Sequence, residues 1–173
     1  MLSAMNAKQR AAEAVLDYVS NDNVVGLGTG STAEFFLKAL AEALRSGRLR
    51  GIRGLPTSIQ AQKQARELEI PLVSFADVSR ADVDVDGADE IDPDLNLIKG
   101  LGGALLREKI VAQNSDRVVI IADESKRVVK LGSRAAVPVE VAMFGHEAQA
   151  KFLASLGCTP ALRRKSDRDV FKT

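Results

Sequence analysis

The chain has one cysteine, Cys158, and one histidine, His146, with no second ligand of either kind beside them. An internal disulfide is excluded, and a transition-metal site built from thiolate and imidazole has almost no material. Cys158 follows a predicted helix and reads as a small buried hydrophobe, and His146 as a surface or capping residue. An excess of one charge sign is also missing. The 24 basic and 23 acidic residues leave a net charge of +1, so nothing marks a nucleic-acid or membrane-surface binder. Long hydrophobic runs are absent too. The longest, such as Val118 to Ala122, cannot span a bilayer, and the N-terminus lacks the apolar core of a signal peptide, so the expectation is a cytoplasmic protein.

What is present suits a globular fold. Hydrophobic residues make up 46% and charged residues 27% of 173 positions, enough for one domain or one and a half. Apolar positions recur at helical spacing from Ala7 to Val19, with Lys8 in the first turn, where a cation does not complement the helix dipole. Val24 to Leu27 reads as a strand that enters the loop Gly28-Thr29-Gly30 and a helix beginning near Ser31. Ser31 and Glu34 have capping-box spacing, and Gly47 ends that helix. A strand, a glycine loop and a helix N-terminus form an anion site, to which the hydroxyls of Thr29, Ser31 and Thr32 can add hydrogen bonds.

Gly28, Gly30 and Ala33 meet a loose dinucleotide fingerprint, but no acid ends the next strand, Ile52 to Leu55, to hold a ribose hydroxyl. Gly-Lys-Ser/Thr is absent as well, so a small phosphorylated metabolite fits better. Thr57 or Ser58 caps a helix over Ile59 to Glu69, and Ile70 to Phe75 reads as a strand with Pro71 at its start. Strands alternating with helices predict an α/β fold with a mainly parallel, doubly wound, Rossmann-like sheet. Ligands bind at the carboxyl ends of its strands.

Ala81 to Asp94 carries acids in period two: Asp82, Asp84 and Asp86 on one side, Val83 and Val85 on the other. Such a row fits a buried parallel strand only where it lines a site or its rim, and a solvated acidic turn is the plainer option. A calcium loop fits Asp82, Asp84, Asp86 and Gly87 but puts Pro93 where a bidentate Glu is required. The run Lys99-Gly100-Leu101-Gly102-Gly103 then leads into a helix over Ala104 to Asn114. Lys99 stands before the turn and Glu108 about one helical turn in, so an acid, a cation and free N–H groups converge. Arg117 to Ala122 has the continuous apolar character of a central parallel strand, and Lys126 follows where ligands sit. Beyond Gly132, a strand at Val137 to Val141, a helix at Gly145 to Leu156 and a strand at Thr159 to Arg163 open a smaller α+β unit. Lys165 to Thr173 reads as a poorly ordered tail.

Four motifs stand in register: Gly28 to Thr32, Asp86 to Glu90, Lys99 to Lys109 and Ala122 to Lys126. In order and spacing the chain resembles the A-type ribose-5-phosphate isomerases from Lys8 to about Arg163. The resemblance implies a cofactor-free, metal-free aldose–ketose isomerase of the non-oxidative pentose phosphate branch. Such an enzyme interconverts ribose 5-phosphate and ribulose 5-phosphate as a homo-oligomer, dimer or tetramer. It implies that Glu108 moves a proton between C2 and C1 and that Lys99 steadies the enediolate. Asp86 and Asp89 would hold sugar hydroxyls and assist ring opening, while Lys8, Thr29, Ser31, Thr32 and Lys126 bind phosphate. Gly30, Gly87, Ala88, Gly100, Leu101 and Gly102 complete the implied substrate-binding set.

The resemblance also implies a Rossmann-like catalytic domain over 1–131 and the start of a ferredoxin-like domain over 132–173, cut short because family members continue past Thr173. Leu101 and Glu69 each stand where glycine is common. A non-catalytic sugar-phosphate sensor is the competing reading, and an inactive fragment of the isomerase a third. The sensor would carry a basic helix-turn-helix and would not need the acids.

Overall fold

The computed structural model describes residues 4–166 and 169–173, which form two compact units, one ending at Val137 and the next beginning at Pro138. In the first unit, helix α1 (Ala4–Ala14) tightens into a 3-10 turn (Val15–Tyr18). Strand β1 (Val24–Leu27), helix α2 (Ser31–Arg45), strand β2 (Arg53–Pro56) and helix α3 (Ile59–Glu67) follow. Strand β3 (Val83–Asp86) precedes a short antiparallel pair, β4 (Glu90–Ile91) and β5 (Leu97–Ile98). Helix α4 (Leu105–Gln113) and strand β6 (Val118–Ile120) complete the unit.

Four strands pair in parallel in the order β2-β1-β3-β6. The chain leaves β1 toward β2 on one side and returns to β3 on the other, which puts the topological switch between β1 and β3. A ligand crevice opens at such a switch. The carboxyl ends that border it are Gly28-Thr29 and Asp86-Gly87. The core is aliphatic. Phe36, Leu37 and Leu40 of α2 bury against Val25, Leu27, Val83 and Val85, and Ala12, Val15, Leu16 and Val19 join them. Each large side chain so buried contributes about 1.5–3 kcal/mol.

Several expectations are corrected. The run Ile70 to Phe75 makes only a single parallel bridge, Leu72 to Gly54, because Pro71 has no N–H with which to extend a ladder. The apolar run that forms β6 takes the outer place in the sheet of described residues, and Val118 is 44% exposed. Continuous apolarity therefore fixes neither a strand's rank in the sheet nor its burial: no residue of β6 is buried among the described residues. The Ser31–Glu34 capping box does not form. Gly30 is the N-cap, with φ of +108°, Ser31 is already helical and Lys8 donates to its hydroxyl.

Among its described residues the second unit holds one helix, α5 (His146–Ser155), which buries none of its residues. The strands expected at Val137 to Val141 and Thr159 to Arg163 are absent among the described residues, which offer them no ladder partner. Cys158 is exposed rather than buried, following a helix that itself buries no residue. His146 opens the helix with Nδ1 3.2 Å from Met143 O. The tail was expected to be poorly ordered. Its residues 167–168 lie outside the described ones, but those around them form a bridge between Arg164 and Val170. The Arg163 guanidinium stacks 3.8 Å from the centre of the Phe171 ring, which gives this turn an anchor.

Candidate active site

The antiparallel pair β4–β5 is what assembles the site. Its turn is held by Asp92, whose Oδ1 accepts from the N–H groups of Asp94 and Asn96. The pairing brings the chain back so that Lys99 lies over the carboxyl end of β3. Lys99 Nζ donates to Asp86 Oδ2 at 2.8 Å and to Gly87 O at 2.5 Å, and pairs with Glu108 Oε2 at 3.1 Å. Both carboxylates are buried, Asp86 at 1% and Glu108 at 6% exposure. Two buried acids thus share one partly buried ammonium.

The electrostatics follow from that count. Burial raises the pKa of Glu108 above the ordinary carboxylate value and Asp86 adds to the rise, while Lys99 opposes it. Burial alone would lower the pKa of Lys99, but Asp86 and Glu108 together raise it above 10.5. A carboxylate with enhanced proton affinity beside a fixed cation can take a proton from carbon while the cation meets the developing oxyanion.

Asp86 also joins the loop after β1 to the pair. Its Oδ1 accepts from Thr29 N at 3.0 Å and from Gly87 N at 2.7 Å, at a point where a Cβ on Gly28 would stand 2.4 Å from the same oxygen. Only glycine allows β1 and β3 to approach so closely here. The Leu101 N–H donates to Asp89 Oδ2 at 3.0 Å, so this amide fixes Asp89. Leu101 does not adopt positive φ; the left-handed positions of the turn are Gly100 and Gly103.

Lys8 reaches from α1 to the Ser31 hydroxyl at 2.8 Å, and Thr32 is buried in the first turn of α2. Ser125 hydrogen bonds lower the pKa of Asp123, burial opposes them, and Lys8 and Lys126 lower it further, so both cations lie around this one acid. The described residues therefore gather Thr29, Asp86, Gly87, Lys99 and Glu108 in one connected cluster, with Asp89 tied to the glycine turn. Lys8, Ser31 and Lys126 form an adjoining basic rim. Gly30, Ala88, Gly100 and Gly102 lie within these loops, and no side chain marks their part.

The sequence marks Thr57 and Ser58 only as helix caps. Ser58 does cap α3, accepting from Ala61 N, but its Oγ is also 2.8 Å from Thr29 Oγ1. Thr57, fully buried, is 3.1 Å from the same atom and donates to Leu27 O. The sequence signal for them is a pair of hydroxyl residues, Thr57-Ser58, directly past the end of a strand, where ligands sit in such a sheet.

Residues 53–173 match the family described as ribose 5-phosphate isomerase A (phosphoriboisomerase A). A curated ribose-5-phosphate isomerase A from Desulfatibacillum aliphaticivorans is 49% identical over the whole chain and 75% of its own length. The chain belongs to the ribose-5-phosphate isomerase A family. A second such isomerase, from Roseiflexus castenholzii, is 54% identical over 90% of this chain and 67% of its own.

Solved isomerases have the same fold. That of Methanocaldococcus jannaschii superposes with a TM-score of 0.90 at 37% identity, over 97% of this chain and 74% of its own. Another, in complex with phospho-erythronic acid, gives 0.92 at 40% identity, over 97% and 73%. The sensor reading is not favoured, since these matched relatives are named isomerases.

Proposed function

We propose that the chain interconverts ribose 5-phosphate and ribulose 5-phosphate through an enediolate, with Glu108 as the base that carries the proton between C2 and C1. The observation that carries this reading is the Lys99 ammonium held between two buried carboxylates. Glu108 takes the C2 proton of the open-chain aldose and returns it to C1. Lys99, with N–H groups of the glycine turn, offsets the charge that develops on the enediolate oxygen. Asp86 and Asp89 hold sugar hydroxyls and assist ring opening. Lys8, Thr29, Ser31, Thr32 and Lys126 hold the phosphate, and the phosphorylated sugar acid in a solved relative supports such a site. No step calls on a metal or cofactor.

We read 1–131 as the catalytic domain and 132–173 as the opening of the small α+β domain. This is supported by the placement of every proposed site residue before Gly132. A homo-oligomer in the cytoplasm completes the reading. Phe144, at 98% exposure, and Val129, at 93%, support burial in an assembly. No helix among the described residues is long and apolar enough to cross a membrane. The test is to incubate the chain with ribose 5-phosphate and follow ketose formation. Turnover is expected, whereas saturable binding without turnover would favour the sensor or the inactive fragment.

A further inference from the structure

Behind Asp86 on the same face of β3 lies a second buried acid that the reaction above does not use. Asp84 is fully buried, and among the described residues neither of its carboxylate oxygens has a hydrogen-bond partner. Its place is cut into the sheet by a glycine. Gly26 is its register partner on β1, and a Cβ there would stand 2.3 Å from Asp84 Oδ1. Gly28 does the same for Asp86 one step along. Two glycines of β1 thus clear room for two carboxyls of β3, and residues two apart on one strand face lie about 7 Å from each other. On the other side, β6 presents Val118 to Asp84 and Ile120 to Asp86, with no charge to offset either acid.

The ionisable groups that act on Asp84 are Asp86 on its own strand, Lys99 from the turn and Glu108 from α4. The third acid of the row, Asp82, is exposed and accepts from Val24 N. An ionised Asp84 would put a third carboxylate against a single ammonium in a space closed to water. A buried carboxylate without donors is far less stable than the neutral acid.

We propose that Asp84 is a positioning residue that carries a proton in the working enzyme and, on losing it, lowers turnover through Asp86, Lys99 and Glu108. The inference rests on the reading of Glu108 and Lys99 as the working pair. Loss of the Asp84 proton adds negative charge to a site that must accept an anionic substrate, so kcat/KM falls. Burial, with Asp86 next to it, raises the Asp84 pKa to about 7, which puts this fall on the mildly alkaline side. Lys99 titrates above 10.5 and leaves that range clear.

The experiment is a pH profile of kcat/KM for the wild type and for Asp84→Asn. Between pH 6.5 and 8.5 the wild type is expected to lose about tenfold, the order of one added charge at this separation. Asp84→Asn, neutral throughout, keeps its rate across that range. An alkaline fall of equal size in both proteins overturns the proposal. If Asp84→Asn does not fold, the wild type labelled with 13C at aspartate Cγ decides. One buried aspartate should titrate with an inflection that coincides with the fall in rate, and in Glu108→Gln that inflection should move to lower pH. The absence of such a titration would overturn the proposal. A fully active Glu108→Gln would instead overturn the base assignment, which the aspartate titration does not depend on.

Discussion

At the residue scale, the site turns on a ratio of two buried carboxylates to one ammonium. Replacing Lys99 by Met leaves Asp86 and Glu108 facing each other with no cation, and the pKa of Glu108, which Lys99 holds down, rises further. Turnover should fall by about 10²–10³-fold, as when an oxyanion partner is removed, and the acid limb of kcat/KM should move to higher pH. A steady-state pH profile checks both, and an unmoved acid limb would show that Lys99 does not set the Glu108 ionisation. In the wild type the sign follows from the raised Glu108 pKa: the base must be ionised to work, so activity is lost as pH falls through a value above that of an ordinary carboxylate. Sequence alternation put Asp82, Asp84 and Asp86 together toward a site. Only Asp86, at the carboxyl end of β3, meets Lys99, because successive members of such a row are spaced along the strand and only the last reaches the crevice.

At the element scale, helix ends were legible where their chemistry is local. The cap of α3 is legible as Thr57 or Ser58 from the chain itself, and Glu69 stands out only against the resemblance, which has glycine commonly at that place. The structure gives the reason for the second. Ile70 N bonds to Ala65 O and Glu69 N to Arg66 O, the two hydrogen bonds of a Schellman end, and Glu69 sits at φ of +60°. Left-handed backbone costs a non-glycine residue about 1 kcal/mol. Glu69→Gly should therefore raise the midpoint of thermal unfolding by a few degrees without changing KM. An unchanged or lowered midpoint would mean that the added freedom of the unfolded chain offsets the relief. The β4–β5 pair was not legible: two-residue strands carry no periodicity, and this pairing is set by the Asp92 turn.

At the scale of the whole molecule, the α/β class, the parallel sheet and the glycine loops were readable because each depends on short-range pattern. Strand order, the missing strands beyond Val137 and the exposure of Cys158 depend on which partners are present, and a linear pattern does not carry that. Stability inherits one feature from the interior. The folded-state pKa of Asp84, about 7, lies above its ordinary 3.8, so the folded chain keeps a proton that the unfolded chain has lost. Stability then falls as pH rises from about 4 to 7, by up to about 4 kcal/mol, and levels off above. Denaturant unfolding at pH 5 and pH 8 should show this loss in the wild type and a smaller one in Asp84→Asn, whereas equal losses in the two would show that Asp84 is not its source. The central claim is that Glu108 is the proton carrier, and turnover of ribose 5-phosphate by Glu108→Gln tests it most directly. The expected result is a loss of kcat by at least about 10³-fold, with binding of the sugar phosphate retained. Turnover near the wild-type rate would contradict it.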